Sequence, residues 1–209
     1  FLNWITKFIK PKIKSLFDKK SSRTDKSLWT TCGCKNLIYK EDLQSNFNCC
    51  PKCGSHHKLS CNERFELFFD NKNFEILQTP LPHDDPLNFI DTKKYKDRLK
   101  VSREITRQDD AVAIAKGQLN KIDITVGAQD FRFSGGSFGA GSGEAFIFGV
   151  QHAIENKTPF IFFSCSGGQK MQEGNIALQQ MARTTLAVGE LKKNNLPYIV
   201  VLTNPTTGG

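Results

Sequence analysis

The chain has little that would carry it into or across a membrane. No apolar run approaches the ~20 residues of a spanning helix. The first twenty residues hold Phe1, Leu2, Trp4, Ile5, Phe8 and Ile9, but Lys7, Lys10, Lys12 and Lys14 break them up and Pro11 interrupts them. An uninterrupted secretory h-region with its charged flank is therefore missing. Methionine is scarce, with 2 residues, and none begins the chain. The last residue, Gly209, closes a glycine pair where a helix is expected next, so the chain reads as a fragment of a longer protein. The usual signs of a side-chain nucleophile are also lacking. Ser164 and Ser166 lie outside any G-x-S-x-G elbow, and Cys61 and Cys165 have no activating base in view.

What remains allows one domain of ordinary size and a small appendage in 209 residues. With 29 Lys and Arg against 21 Asp and Glu, the formal charge is +8. That balance suits a phosphate-bearing ligand, an acidic partner or nucleic acid without choosing among them. Residues 1–27 form a basic amphipathic segment and a polar linker. The segment fits an N-terminal helix docked on the chain or a partner, or a membrane-surface element.

The stretch from Phe160 to Gly174 organises the rest. Phe160-Ile161-Phe162-Phe163 is apolar without alternation, as in a short strand covered on both faces. Ser164-Cys165-Ser166-Gly167-Gly168 stops it, and Gln169 to Glu173 opens a helical segment in which Ile176, Leu178, Met181, Ala182 and Leu186 recur at helical spacing. The construction returns at Tyr198–Leu202, followed by Thr203-Asn204-Pro205-Thr206-Thr207 and Gly208-Gly209. A weaker version runs from Ile122–Phe133 through Ser134-Gly135-Gly136-Ser137 to a helix over about 144–155. An Asn and a Pro precede two of the strands, Asn156 with Pro159 and Asn195 with Pro197. Three strand, glycine-pair and helix units predict a spiral of repeated elements. Such turns either simply close βα connections or present backbone N–H groups to negative charge.

The cysteines give the clearest local chemistry. Cys50-Pro51-Lys52-Cys53-Gly54 is a thiolate knuckle. Cys32-Gly33-Cys34 lies upstream, with 15 residues between Cys34 and Cys50, a normal interval for a four-cysteine ribbon. Cys32, Cys34, Cys50 and Cys53 would fill a tetrahedral zinc shell and leave no position for substrate, so the metal is structural. The first pair is one residue shorter than the usual C-x-x-C, and Cys49, His56 and His57 stand nearby as alternative ligands. Disulfides are the competing reading.

Further on, the pattern predicts a helix over 61–69, a strand over 74–77 and a proline-rich connector over 79–91. A basic helix begins at Lys93 and reaches Thr106. Its cations either coat a solvated face or meet the phosphates of a nucleotide-like cofactor. Residues 110–115 and 122–128 predict a hairpin with Gly117 near its turn.

Leu28-Trp29-Thr30, the cysteine ribbon, Asp91 to Leu99, Gly135-Gly136-Ser137-Phe138-Gly139, Ser164 to Gly168 with Met171-Gln172-Glu173, and Pro205 to Gly209 together resemble the carboxyltransferase β-subunit family of bacterial acetyl-CoA carboxylases. The resemblance covers almost everything from Leu28 to Gly209. It departs at the shortened knuckle and at Gln169-Lys170, where that family commonly has Ala-Arg. It implies an α/β, crotonase-like (ClpP/crotonase) spiral of ββα units over 59–209, truncated at its C-terminus and preceded by a small zinc ribbon over 28–58. The implied enzyme is a transferase that moves a carboxyl group from carboxybiotin to acetyl-CoA, giving malonyl-CoA in the first committed step of fatty acid biosynthesis. Biotin arrives on a biotin carboxyl carrier protein charged by a biotin carboxylase, with ATP binding expected in the system. A carboxyltransferase α subunit completes an α2β2 assembly in the cytoplasm.

On this reading the backbone amides of Gly167, Gly168, Gly208 and Gly209 form oxyanion holes. Gly135, Gly136, Ser137 and Lys170 contact the cofactor. Three alternatives stand beside it. A crotonase-type hydratase or hydrolase would need a positioned carboxylate and leaves the ribbon unexplained. Another biotin-dependent decarboxylase or carboxyltransferase subunit is closer. The ribbon with its basic flanks also fits nucleic acid, as a second role or the main one.

Overall fold

The computed structural model describes residues 28–207. The amphipathic segment and linker over 1–27, and the pair Gly208-Gly209, lie outside the described residues. The chain divides into two units between Lys58 and Leu59.

In the first unit, β1 (Trp29–Thr31) and β2 (Leu37–Tyr39) pair antiparallel, Thr30 opposite Ile38, and helix α1 (Lys40–Ser45) follows. Its core is small: Cys32, Ile38, Leu43 and Cys50. Cys49 and His56 bridge across the second knuckle.

The second unit begins with helix α2 (Cys61–Phe68). Ser60 accepts from the Glu63 N–H while the Glu63 carboxylate accepts from the Ser60 N–H, a reciprocal cap that fixes the start. A five-stranded sheet then forms from β3 (Phe74–Leu77), β4 (Val112–Leu119), β5 (Ile122–Gln129), β6 (Phe160–Ser166) and β7 (Tyr198–Thr206), in that spatial order. The first three strands run antiparallel, and β5, β6 and β7 run parallel. Helix α3 (Tyr95–Thr106) lies between β3 and β4 in the chain. Helix α4 (Ala140–Glu155) connects β5 to β6, and α5 (Asn175–Lys193) connects β6 to β7.

β6 is covered on both sides, as its unbroken apolar run implies. Ile161 and Phe163 pack with Phe65, Phe69, Val126 and Ala128 on one face. Phe160 and Phe162 turn to the other, where Phe146 of α4 meets them edge-on at 5.3 and 5.1 Å. The repeat is visible in the backbone: the Thr125 N–H of β5 donates to Pro159 O, and one strand on, the Phe160 N–H donates to Pro197 O. Each Pro enters its strand without needing a donor of its own. Among the described residues only the β4, β5 and α4 unit contributes two strands. The β6 and α5 unit contributes one.

Three local expectations change. The hairpin turns at Asn120-Lys121, both with positive φ, the backbone of a tight two-residue turn, while Gly117 sits inside β4 opposite Phe74. α4 starts at Ala140, four residues before the periodicity predicts. The apolar stripe of α5 faces outward, with Leu178, Met181 and Leu186 exposed, while Ala177, Gln180 and Leu191 are buried. At Gly143 the α4 backbone comes so near that a Cβ there would stand 2.2 Å from Gln180 Oε1, so a small residue and a flexible amide occupy the inner face of α5.

Candidate active site and metal centre

The four predicted thiols meet in the ribbon. The Sγ atoms of Cys32, Cys34, Cys50 and Cys53 all lie within 4.8 Å of one another. Cys32 and Cys53 are 3.6 Å apart, and Cys34 and Cys50 are 3.9 Å apart. A tetrahedron of ~2.3 Å zinc–sulfur bonds requires sulfurs roughly 3.8 Å apart. The short first knuckle therefore still reaches the right geometry, and the ribbon residues fit one structural zinc ion. Cys49 turns away toward Phe47 O, so it is no rival. Four crowded thiols cannot all ionise without a cation. The Asn36 side chain lowers Cys34 to about 6 and Ser55 lowers Cys53. Cys32 is pushed up to about 12, its Cys34 backbone donor outweighed by burial and neighbouring thiols.

In the second unit the glycine turns come together. Gly136 is buried with φ +63, and a Cβ there would stand 2.1 Å from Cys165 O. Only glycine lets the 134–136 turn lie on β6 so closely. The two turns are also tied. The Gly167 N–H donates to Gly135 O at 2.9 Å, the Phe138 N–H to Gly168 O at 2.8 Å, and the Lys170 N–H to Phe138 O at 2.9 Å. Gln129, a buried residue that no sequence signal marked, joins them from below. Its Nε2 donates to Gly136 O at 2.5 Å and its Oε1 accepts from the Cys165 N–H at 3.2 Å.

The structure places the predicted site residues unequally. The Gly167 amide is engaged by main chain, and the Gly168 amide donates to Ser166 Oγ at 3.0 Å. α5 begins only at Asn175, after a 3₁₀ turn over Met171–Glu173, so the glycine pair does not open that helix as the sequence implied. Gly136 is packed against β6 and offers no face to a cofactor. Gly135 gives its carbonyl to Gly167. Ser137 donates to Ser134 O at 2.9 Å and lines an open cleft. Lys170 is not an exposed cation. Its ammonium is buried against Asp110 and Glu173, because a charge in that position must find partners.

Two hollows flank these turns. One, of about 440 Å³, runs along β6 and β7 beneath α5, from Phe146, Phe162 and Tyr198 to Gly168 and Thr207. The other, of about 650 Å³, lies between α3 and the turns, with Lys93, Arg98, Ser102, Ser137 and Gln172 on its walls. Much of the cationic charge on α3 is already matched. Arg98 pairs with Asp91, and Arg103 grips Asp84 through two bonds of 2.6 and 2.7 Å. The Arg103 guanidinium holds the Asp84 carboxyl below its ordinary range. Cys61 is buried, donates to Ala128 O, and is pushed up to about 12 by desolvation, as suits an unreactive core thiol. Among the described residues no helix is long and apolar enough to cross a membrane.

Comparison with known proteins agrees with this architecture. Residues 89–209 match the carboxyl transferase domain, and residues 29–53 match the acetyl-CoA carboxylase zinc finger domain. Neither match describes ATP binding. The chain is 50% identical over its whole length to the acetyl-coenzyme A carboxylase carboxyl transferase subunit beta of Pelagibacter ubique (strain HTCC1062), covering 68% of that protein. It is 44% identical over its whole length to the protein of the same name from Jannaschia sp. (strain CCS1), covering 65% of it. The chain thus spans about two thirds of the length of these relatives. Its fold is similar to that of transcarboxylase 12S, with a TM-score of 0.55 and 24% identity over 73% of this chain and 27% of that one. A Pseudomonas malonate decarboxylase chain gives a TM-score of 0.52 and 24% identity over 70% of this chain and 51% of that one. Those two likenesses concern the fold alone. A crotonase-like α/β unit built on tied glycine turns and preceded by a four-cysteine ribbon, with half of this chain's residues shared with a relative that it covers to 68%, places this chain in the family of acetyl-coenzyme A carboxylase carboxyl transferase β subunits.

Proposed function

We propose that this chain forms the ribbon and the first part of the catalytic unit of a carboxyltransferase that moves a carboxyl group from carboxybiotin, on a carrier protein, to acetyl-CoA. One observation carries the reading most strongly: an acetyl-CoA carboxylase zinc finger and a carboxyl transferase domain occur in one chain. The proposed partners are an α subunit in an α2β2 assembly, the biotin carboxyl carrier protein and the biotin carboxylase. Seven free thiols suit the cytoplasmic setting that this reading includes. Zinc, bound by Cys32, Cys34, Cys50 and Cys53, would rigidify the ribbon and take no part in the chemistry.

The reaction asks two oxygens to take up negative charge. The thioester oxygen does so when the acetyl methyl loses a proton, and the ureido oxygen of biotin when the carboxyl group leaves. Our candidate donors are main-chain amides where β6 and β7 end, at Gly167-Gly168 and Gly208-Gly209. Within the first pair we favour Gly168, whose present acceptor is a hydroxyl that can rotate away, over Gly167, whose acceptor is main chain. Losing one such donor costs ~3 kcal/mol of transition-state stabilisation. The hollow under α5 reaches Gly168 and is lined mostly by apolar surface. Lys93 and Ser137 on the second cleft suit the phosphates of CoA.

The test uses the full-length protein with its α partner and follows decarboxylation of malonyl-CoA in the presence of free biotin. Turnover that requires both subunits supports the reading. Its absence, or equal turnover by Gly208→Val in a folded complex, would sink the assignment of the hole at Gly208-Gly209 or of the activity itself.

A further inference from the structure

The reaction as read above makes no use of one wholly buried cation in the catalytic unit. The Lys170 side chain is fully covered. Its Nζ lies 3.1 Å from Asp110 Oδ2 and 3.7 Å from Glu173 Oε1, and 5.5 Å from the centre of the Phe133 ring. One ammonium between two carboxylates leaves negative charge over, and neutral donors meet it. Ser142 Oγ donates to Asp110 at 2.6 Å and the Ala111 N–H at 2.7 Å. Tyr95 donates to Glu173 at 2.7 Å and the Ala140 N–H at 2.6 Å. Ala140 opens α4, so Glu173 sits at the positive end of that helix. The backbone is shaped around the cluster: a Cβ on Gly139 would stand 2.5 Å from Glu173, and one on Gly141 2.5 Å from Asp110.

The same residue is part of the tie between the glycine turns. Its N–H and the Gly168 carbonyl clasp the two sides of Phe138, while its side chain runs inward to the start of α4. We propose that Lys170 is a positioning residue for carboxyl transfer: its ammonium, held by Asp110 and Glu173, fixes the backbone that ties the Gly168 carbonyl through Phe138, and so holds the neighbouring Gly168 amide in place for the developing oxyanion. The inference rests on the function proposed above. A fixed donor is worth more than a mobile one because it need not reorganise as charge appears. An ion pair that is fully enclosed has one low-energy place to be, whereas a hydrocarbon of equal length can slide.

The experiment compares wild type, Lys170→Met and Lys170→Arg in the full-length protein with its α subunit. We expect Lys170→Met to lose about tenfold to a hundredfold in kcat, with the KM for acetyl-CoA within about twofold and an unchanged circular dichroism spectrum. Lys170→Arg, which keeps the charge, recovers most of the loss. A merely structural lysine would lower the folded fraction and leave both constants of the folded enzyme alone. That result, an unaltered kcat, or an Arg variant no better than Met overturns the inference while wild-type turnover still upholds the function. No carboxyl transfer by wild type overturns both. If Lys170→Met does not fold, Glu173→Gln is measured instead: a several-fold fall in kcat at constant KM supports the positioning role, and an unchanged kcat refutes it.

Discussion

The two units solve the same problem, crowded negative charge, in opposite ways. In the ribbon, four sulfurs converge within 4.8 Å, and the charge of their thiolates calls for a borrowed metal cation. In the catalytic unit two carboxylates converge at the head of α4, and the chain supplies its own cation, Lys170. Size explains the difference. The ribbon core is four side chains, of which Cys32 and Cys50 are themselves ligands, and so small a core cannot hold a fold unaided. The larger unit has an apolar layer on each face of its sheet and can bear the desolvation of an internal ion pair.

The strongest way to break the comparison is to remove the borrowed cation. Chelation, or Cys50→Ser, should forfeit zinc binding of about 10–16 kcal/mol and unfold the ribbon, while the catalytic unit keeps its melting transition. Calorimetry of the full chain checks this, and a ribbon that survives chelation ends the argument. Removing the built-in cation comes next. Lys170→Met should cost roughly 3–5 kcal/mol, because it leaves buried carboxylates unpaired, and adding Asp110→Asn should recover part of it. Urea titration of both variants measures the coupling.

A smaller effect sharpens the contrast by touching neither cluster. Ser60→Ala removes the cap of α2 and should cost ~1 kcal/mol, with no change in zinc content by atomic absorption. The smallest concerns protons. Burial and Lys116 depress the His152 pKa in the folded unit, so its neutral ring contributes stability above the ordinary value of about 6.5. That contribution is lost as pH falls through the lower folded value. The melting temperature of the catalytic unit should therefore decline below about pH 6.5, and His152→Gln should flatten the decline. Over the same range protons compete for the thiolates, so zinc should leave the ribbon first.

Much of this was legible because the sequence records burial where burial is symmetric. Phe160 to Phe163 are apolar on consecutive positions because β6 has a core on each side. The thiol spacing identified the ligands because tetrahedral coordination fixes how far apart they sit. The stripe on α5 misled because periodicity shows which residues are apolar and not what covers them. Gln180 faces inward for reasons of fit against Gly143. Lys170 was misread for a related reason. A lysine near a glycine turn looks like a ligand contact until Asp110, sixty positions earlier, is seen beside it. Gln129 left no trace at all, since its role consists of two bonds to backbone that only the folded chain brings near.

In the sheet, spatial order equals chain order from β3 to β7. A polypeptide leaving the ribosome can therefore lay down each strand beside the one just made, with nothing to be wedged between neighbours already in place. The newest strand is always an open edge: β7 ends the described sheet with Ile199 and Leu202 uncovered. The hazard of clumping thus travels with the growing end of the chain and is relieved only when something is laid over it.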